Sequence, residues 1–132
     1  YPTNPLRTVT FISKFLDQYI TMGGNLPFIS VKKPRTHPFL CYKRNINGSL
    51  GNLFKFDENK FYRRQQYPNY YRLAGGSYIV PTNYINEINA QLFCDKSYSY
   101  IMPDDEPYID IDTQLDFDIA EYLISRSNGL ID

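Results

Sequence analysis

The chain has 132 residues, enough for one domain with a core, and no apolar run approaches the roughly 20 residues of a membrane span. Lys and Arg total 14, as do Asp and Glu, so the overall charge does not favour nucleic acid or a membrane as a partner. Two isolated cysteines, Cys41 and Cys94, indicate neither a disulfide framework nor a zinc site, so a cytoplasmic setting is expected.

The first half of the chain begins with apolar residues at helical spacing. They predict a helix over residues 8–20, which Gly23-Gly24 ends. Short strands are predicted for residues 26–31 and 39–43, separated by a basic loop that holds two prolines and His37. His37 has no histidine partner and is expected to shape this loop. The turn residues 45–49 lead into a third strand over 50–56, so the last two strands should pair as a hairpin.

The second half begins with residues 57–76, which are predicted to be irregular. Strands are predicted for 77–81 and 96–102, with a short helix between them that Thr82 caps and that runs to about Ala90. A final helix follows Thr113 and ends at Asn128-Gly129. The fold class is therefore predicted to be α/β.

The irregular stretch interleaves arginines with tyrosines. Arg63, Arg64 and Arg72 offer forks of donors that suit a carboxylate or a phosphate. The same loop is compatible with stacked RNA bases, but small-anion binding ranks ahead because the chain is neutral and its basic residues form no long stripe. A solvated loop that packs aromatic rings explains the composition equally well.

Asp110 and Asp112 carry the clearest chemical pattern. If residues 109–112 form a strand, both carboxylates share one face, and the pair Thr113 and Asp116 is typical of a helix start. Two such carboxylates suit Mg²⁺, which completes its shell with water and phosphates. From these residues alone the structural alternative is favoured, in which Asp112 ends a strand, Asp116 stabilises the helix and Asp110 is solvated.

Four segments in order resemble the acylneuraminate cytidylyltransferases, the CMP-sialic acid synthetase family. Residues 2–8 resemble the family's PTSPLRT, and Ser30-Val31 with His37-Pro38 resembles its SV…HP. Residues 64–68 followed by 71–79 resemble its RQ-x-x-P…NGAIYI, and residues 109–116 resemble its IDIDT-x-x-D. The resemblance covers almost the whole chain and corresponds to the C-terminal portion of the family.

The resemblance implies an α/β nucleotidyltransferase domain with a dimerisation and substrate projection at about residues 38–76, and a homodimer. It also implies an enzyme that activates a 2-keto sugar acid with CTP, giving CMP-sugar and pyrophosphate. Neither Gly23-Gly24 nor Gly75-Gly76 fits a phosphate-binding loop, and the chain opens on Tyr1 without Met. We therefore expect a fragment that lacks the N-terminal nucleotide-binding half and is inactive by itself.

The resemblance also implies roles for individual residues. Arg64 would reach the neighbouring subunit's site and Arg72 would lie near the sugar-acid pocket, so both are assigned to catalysis. Asp110 and Asp112 would hold Mg²⁺. The implied substrate-binding residues are Tyr1, Arg7, Tyr78 and Phe93.

Three departures from the family pattern bear on the substrate. Tyr1 stands where the sialic-acid enzymes have a glutamine that contacts the sugar, Ala74 replaces the Asn of NGA, and Ser77 replaces an apolar residue. A phenol cannot reproduce the two-ended recognition of an amide. Two alternatives therefore stay open: a nucleotidyltransferase for a different sugar, and a non-catalytic sugar- or nucleotide-binding relative.

Overall fold

The computed structural model describes residues 3–57, 59–61 and 63–126, which form helices and small sheets, an α/β combination. The chain divides into two compact units. One unit is Lys33–Arg72, which overlaps most of the stretch expected to form a projection, and the role of this unit in dimerisation remains a prediction. The other, larger unit contains the described residues on either side of it.

Two helices and five strands make up the regular structure of the described residues. Helix α1 is Val9–Thr21 and α2 is Gln114–Arg126, and no helix in the described residues is long and apolar enough to cross a membrane. Short 3-10 turns cover Pro38–Leu40, Arg64–Gln66 and Thr82–Tyr84. The strands are β1 Phe28–Lys32, β2 Tyr42–Arg44, β3 Leu50–Asn52, β4 Arg72–Ile79 and β5 Tyr98–Ile101.

The larger unit is built on a three-stranded sheet in the order β4-β1-β5. Strands β1 and β5 are parallel, with Phe28 opposite Tyr98 and Val31 opposite Ile101. Helix α1 supplies Phe11 and Phe15 to the core, where the Phe15 and Phe28 rings lie 4.8 Å apart. Phe11 and Phe15 are therefore buried on one side of α1, whereas Ile12, Leu16 and Ile20, which share the helical spacing, remain 39–69% exposed.

The predicted helix over residues 8–20 is observed one residue later, as Val9–Thr21, and the predicted stop at Gly23-Gly24 is confirmed. Thr8 precedes the helix in an extended conformation, and its Oγ1 accepts a hydrogen bond from the Phe11 N–H at 3.0 Å. At the other end, Gly23 adopts a positive φ of 96° and the Gly24 N–H donates to the Tyr19 carbonyl. The side-chain cap and the glycine stop together fix the length of the helix.

Strands β1 and β4 approach closely at Ser30 and Gly76. Ser30 is fully buried, and its Oγ accepts a hydrogen bond from the Ser77 N–H at 2.9 Å. A Cβ on Gly76 would lie 3.0 Å from that oxygen and 3.4 Å from the Phe11 ring. A methyl group at position 76 would therefore be tight, and the Ser30 hydroxyl and the Phe11 ring would have to move by a few tenths of an ångström to admit it.

The Lys33–Arg72 unit contains the expected hairpin of β2 and β3. A cluster of aromatic rings packs beside His37, and the Phe39 and Phe56 rings stack at 4.0 Å. The Phe39 N–H donates to Nδ1 of His37, and Nε2 lies 3.0 Å from the Pro68 carbonyl. Because a carbonyl only accepts, this network assigns the proton to Nε2. His37 shapes its loop, as predicted.

Several predicted boundaries are wrong. Strand β4 begins at Arg72 and not at Ser77, because Gly75-Gly76 allows close packing inside a strand instead of a turn. Residues 38–40 form a 3-10 turn before β2. The helix from Thr82 to Ala90 is only a 3-10 turn, and the Thr82 side chain does not cap it. The expected end at Asn128-Gly129 lies outside the described residues.

Residues 109–112 do not form the predicted strand. The Ile111 N–H donates to the Thr3 carbonyl, but one such bond does not make a ladder. The predicted alternation nevertheless holds, since Ile109 and Ile111 are half-buried while Asp110 and Asp112 are exposed. The aspartates therefore differ in burial from the isoleucines between and beside them.

The predicted helix start at Thr113 and Asp116 is confirmed as a capping box. Oδ2 of Asp116 accepts from the N–H of Thr113 at 2.8 Å, from its hydroxyl at 2.7 Å and from the N–H of Asp112 at 3.2 Å. The hydrogen bonds from Thr113 lower the pKa of Asp116. Asp116 thus fixes the backbone that carries Asp112.

Helix α2 buries little of its apolar side among the described residues. Ala120 is buried, but four residues that the helical spacing brings together remain 41–67% exposed. They are Leu115, Ile119, Tyr122 and Leu123. The helical period places these four residues on one side of α2, but that side is not buried by the described residues.

Replacing Gly76 with alanine should destabilise the full-length protein by about 1–3 kcal/mol, since the added methyl overpacks the core against Ser30. Urea unfolding measures this change. Gly51→Ala is the matched control, because a Cβ there meets only ordinary contacts at 3.8 Å and 4.0 Å. Equal stability of the two variants would show that the β1–β4 approach is looser than described.

Replacing Asp116 with asparagine should weaken the start of α2 in a pH-dependent way. Because the folded-state pKa lies below the ordinary value of 3.8, the stabilisation is present above that value and is lost as the pH falls through the lowered one. Thermal unfolding from pH 7 to pH 3 should show the gap between wild type and Asp116→Asn closing at the acid end. Asp118→Asn on the same helix is the control, and a gap independent of pH would contradict the capping account.

Candidate functional site

The segment from Thr3 to Thr8 connects parts of the larger unit that are distant in sequence. Nη1 of Arg7 donates to the Gly76 carbonyl at 2.9 Å. The Thr3 carbonyl accepts from the Ile111 N–H at 2.9 Å, and the Thr8 hydroxyl lies 3.4 Å from Oε1 of Glu106. Segments that were singled out separately in the sequence therefore meet in space.

An open cavity of about 320 Å³ lies beside this junction. We call it the Arg7 cavity, and its described walls are Arg7, Gly76, Ser77, Tyr78 and Leu92. It combines a guanidinium, two hydroxyl-bearing side chains and one aliphatic side chain. A few polar groups on an apolar background are typical of small-molecule sites.

The charge of Arg7 distinguishes this cavity. Its side chain is half-buried, and no carboxylate of the described residues pairs with it. The bond to the Gly76 carbonyl uses one of the five donors of the guanidinium. A cation so placed favours an anionic ligand, because a carboxylate or a phosphate would accept its remaining hydrogen bonds.

Two of the predicted substrate residues, Arg7 and Tyr78, line the same cavity. Phe93 is half-buried and is not among the described residues that line it, whereas the preceding residue, Leu92, is. Leu92 was missed from the sequence. Its backbone is left-handed, with φ of 60°, and no sequence pattern marks a leucine for that conformation.

The predicted metal ligands have the exposure that a cation site needs. Both carboxylates are exposed, and the Tyr108 hydroxyl lies 3.5 Å from Oδ2 of Asp110. Ile111 between them lines an apolar cavity with residues of α2. The described residues contain no group of three or more His, Cys, Asp or Glu that could hold a metal. Whether Asp110 and Asp112 hold Mg²⁺ remains a prediction, which rests on the preference of that ion for one or two protein carboxylates.

The two predicted catalytic arginines lie in different surroundings. Arg64 lines an open cavity of about 280 Å³ inside the Lys33–Arg72 unit, together with Arg35, His37 and Tyr67. Two guanidinium groups on one cavity favour an anion there. Arg72 is the exposed first residue of β4 and is not among the described residues that line either cavity.

The three departures from the family pattern have different consequences. Tyr1 lies outside the described residues. Ala74 is fully buried in the core with Phe11 and Phe28, so its side chain does not line the Arg7 cavity. Ser77 is among the residues that line it, and this residue carries a hydroxyl where the family has an apolar side chain. Of the departures that the structure describes, Ser77 is the one that changes the cavity.

Comparison with known proteins supports the resemblance. No protein-family model matches the chain. The chain is 36% identical over 76 residues to CMP-N,N'-diacetyllegionaminic acid synthase of Campylobacter jejuni, covering 58% of this chain and 32% of that protein. It is 28% identical over 124 residues to post-translational flagellin modification protein B of Campylobacter coli, covering 94% of this chain and 50% of that protein.

The matched part thus spans about a third to a half of the length of these curated relatives. One of them is named as a synthase of a CMP-linked sugar acid, the class of enzyme that the four segments indicated. The resemblance is confirmed: the chain is similar to the CMP-sialic-acid-synthetase-like proteins.

Proposed function

We propose that the full-length protein is a cytidylyltransferase that couples a 2-keto sugar acid to CMP from CTP, with release of pyrophosphate. The observation that carries the proposal is the Arg7 cavity, where a half-buried cation without a carboxylate partner among the described residues lies beside Ser77 and Tyr78. The similarity to a CMP-sugar-acid synthase supports this class of substrate.

In this proposal, Arg7 binds the carboxylate of the sugar acid. The Gly76 carbonyl orients the guanidinium by accepting from Nη1, so the fork is held before the ligand arrives. Ser77 and Tyr78 contribute hydroxyl groups that bond to the hydroxyls of the sugar. Such groups favour one orientation of the sugar, since a hydrogen bond forms only where the donor and the acceptor meet at the right distance and angle.

Asp110 and Asp112 are the proposed Mg²⁺ ligands. When held by these two aspartates, Mg²⁺ would supply Lewis-acid stabilisation of the charge on the triphosphate and would help to orient it. Asp116 assists by bonding to the N–H of Asp112, which fixes the backbone at that ligand. The pair also suits Mg²⁺ because that ion keeps water and phosphate oxygens in its shell.

The Lys33–Arg72 unit supplies a second anion site in the proposal. Arg64 and Arg35 share one cavity there, and His37 maintains its loop through bonds to the Phe39 N–H and the Pro68 carbonyl. We propose that Arg64 acts on the site of a neighbouring subunit in a homodimer. Arg72 is proposed to act near the sugar acid.

The proposed activity is tested with the full-length protein, CTP, Mg²⁺ and a panel that includes N,N'-diacetyllegionaminic acid and sialic acid. Pyrophosphate release is the readout, and it should require one of these acids. Binding of an acid without release would favour a non-catalytic relative. Release only with a neutral sugar would favour a nucleotidyltransferase of another specificity.

Replacing either Asp110 or Asp112 with asparagine should lower pyrophosphate release by a factor of about 100 or more, because several kcal/mol of charge stabilisation are lost. Circular dichroism should show an unchanged fold, since both side chains are exposed. Asp105→Asn, in the exposed turn before this segment, is the matched control. Near-normal activity of either variant over a series of Mg²⁺ concentrations would refute the metal assignment.

A further inference from the structure

Leu92 has an unusual backbone for its residue type. Its φ of 60° makes it the one non-glycine residue with a positive φ in the described part of the chain. A leucine in this region is strained because its Cβ crowds the backbone. Strain of this kind persists only where the surrounding contacts enforce it, and it is often found at functional sites. Leu92 is also the aliphatic wall of the Arg7 cavity.

Asn89 makes the contacts that hold this conformation. Its Oδ1 accepts from the N–H of Gln91 at 2.8 Å and from the N–H of Phe93 at 3.4 Å. Its backbone N–H donates to the Phe93 carbonyl at 2.9 Å, and its carbonyl accepts from the Leu92 N–H at 2.9 Å. One residue therefore closes the loop 89–93 through both its side chain and its backbone.

The side-chain bonds have a specific consequence for Leu92. They tie the residues on either side of it, Gln91 and Phe93, to one oxygen. The Phe93 N–H belongs to the peptide group after Leu92, and the peptide group before Leu92 is held by the bond from the Leu92 N–H to the Asn89 carbonyl. Asn89 therefore contacts both peptide groups that flank Leu92. Asparagine suits this task because its short amide bonds to backbone groups two residues on.

We propose that Asn89 is a positioning residue for the sugar-acid site. By holding Leu92 left-handed, Asn89 sets where the aliphatic wall of the Arg7 cavity stands relative to Arg7 and Tyr78. The inference rests on the proposed function and extends it to a residue outside the cavity. The matching ligand is a 2-keto sugar acid that presents an apolar group, such as the methyl of an acetyl substituent, to Leu92.

The test compares Asn89→Ala with Asn89→Asp in the full-length protein, with N,N'-diacetyllegionaminic acid varied at saturating CTP. The alanine variant should raise KM for the acid roughly tenfold, while kcat and the KM for CTP stay near wild type. The aspartate variant keeps an acceptor oxygen and should restore most of the affinity. Asn86→Ala is the matched control, since Asn86 is exposed in the turn just before the loop.

A double-mutant cycle shows whether Asn89 acts through Leu92. Glycine accepts a left-handed backbone and removes the wall, so Leu92→Gly should also raise KM for the acid. Once the wall is gone, Asn89→Ala should raise the KM for the acid little further. The increase in KM for the double variant should therefore be well below the product of the increases for the two single variants. Should Asn89→Ala fail to fold, Asn89→Ser replaces it and should raise KM to a smaller extent, because a hydroxyl makes the same turn more weakly.

Several outcomes would overturn the inference. One is a KM for the acid that is unchanged in Asn89→Ala, or in Asn89→Ser where that variant replaces it. The other is a double variant whose increase in KM equals the product of the two single increases. Failure of the proposed function is a separate result, because it would appear as a wild-type protein that releases no pyrophosphate with any acid. An active wild type with an insensitive Asn89 would refute the positioning role alone.

Discussion

The larger unit depends on the close approach of β1 and β4 at Ser30 and Gly76. The absence of a side chain at Gly76 lets the buried Ser30 hydroxyl reach the Ser77 N–H. The same glycine presents its carbonyl to Arg7, which sets one wall of the cavity. Packing in the sheet and geometry at the candidate site are thus consequences of one contact.

The Thr3–Thr8 segment connects separate parts of the chain at the candidate site. The Thr3–Thr8 segment caps α1 through Thr8, orients a guanidinium through Arg7 and bonds to Ile111 through Thr3. Each function uses a different group, so the segment has little freedom to move. A preorganised cation is valuable in a binding site, because less conformational entropy is lost when an anion binds.

The parts of the fold with local causes could be predicted from the sequence. The end of α1 follows from Gly23-Gly24, the hairpin follows from its turn residues, and the start of α2 follows from Thr113 and Asp116. The start of β4 could not be predicted, because the packing of Gly76 against Ser30 joins residues far apart in the chain and the local glycine pattern contradicts it.

The site was predictable to a similar extent. Arg7 and Tyr78 were identified through the family resemblance, and the structure places them on one cavity. Leu92 and Asn89 were missed, because a left-handed leucine has no sequence signature. Asn89 carries a usable signal, since asparagine often starts turns through its side chain. The same residue also fell within the helix that was predicted from Thr82 to about Ala90, so the turn was not recognised.

A crystal structure of the full-length protein with a CMP-linked sugar acid and Mg²⁺ would test the central claim most directly. We expect the sugar carboxylate within hydrogen-bond distance of Arg7, an apolar substituent against Leu92, and the metal on Asp110 and Asp112. A sugar bound away from the Arg7 cavity, with Arg7 bonded only to the Gly76 carbonyl, would contradict it.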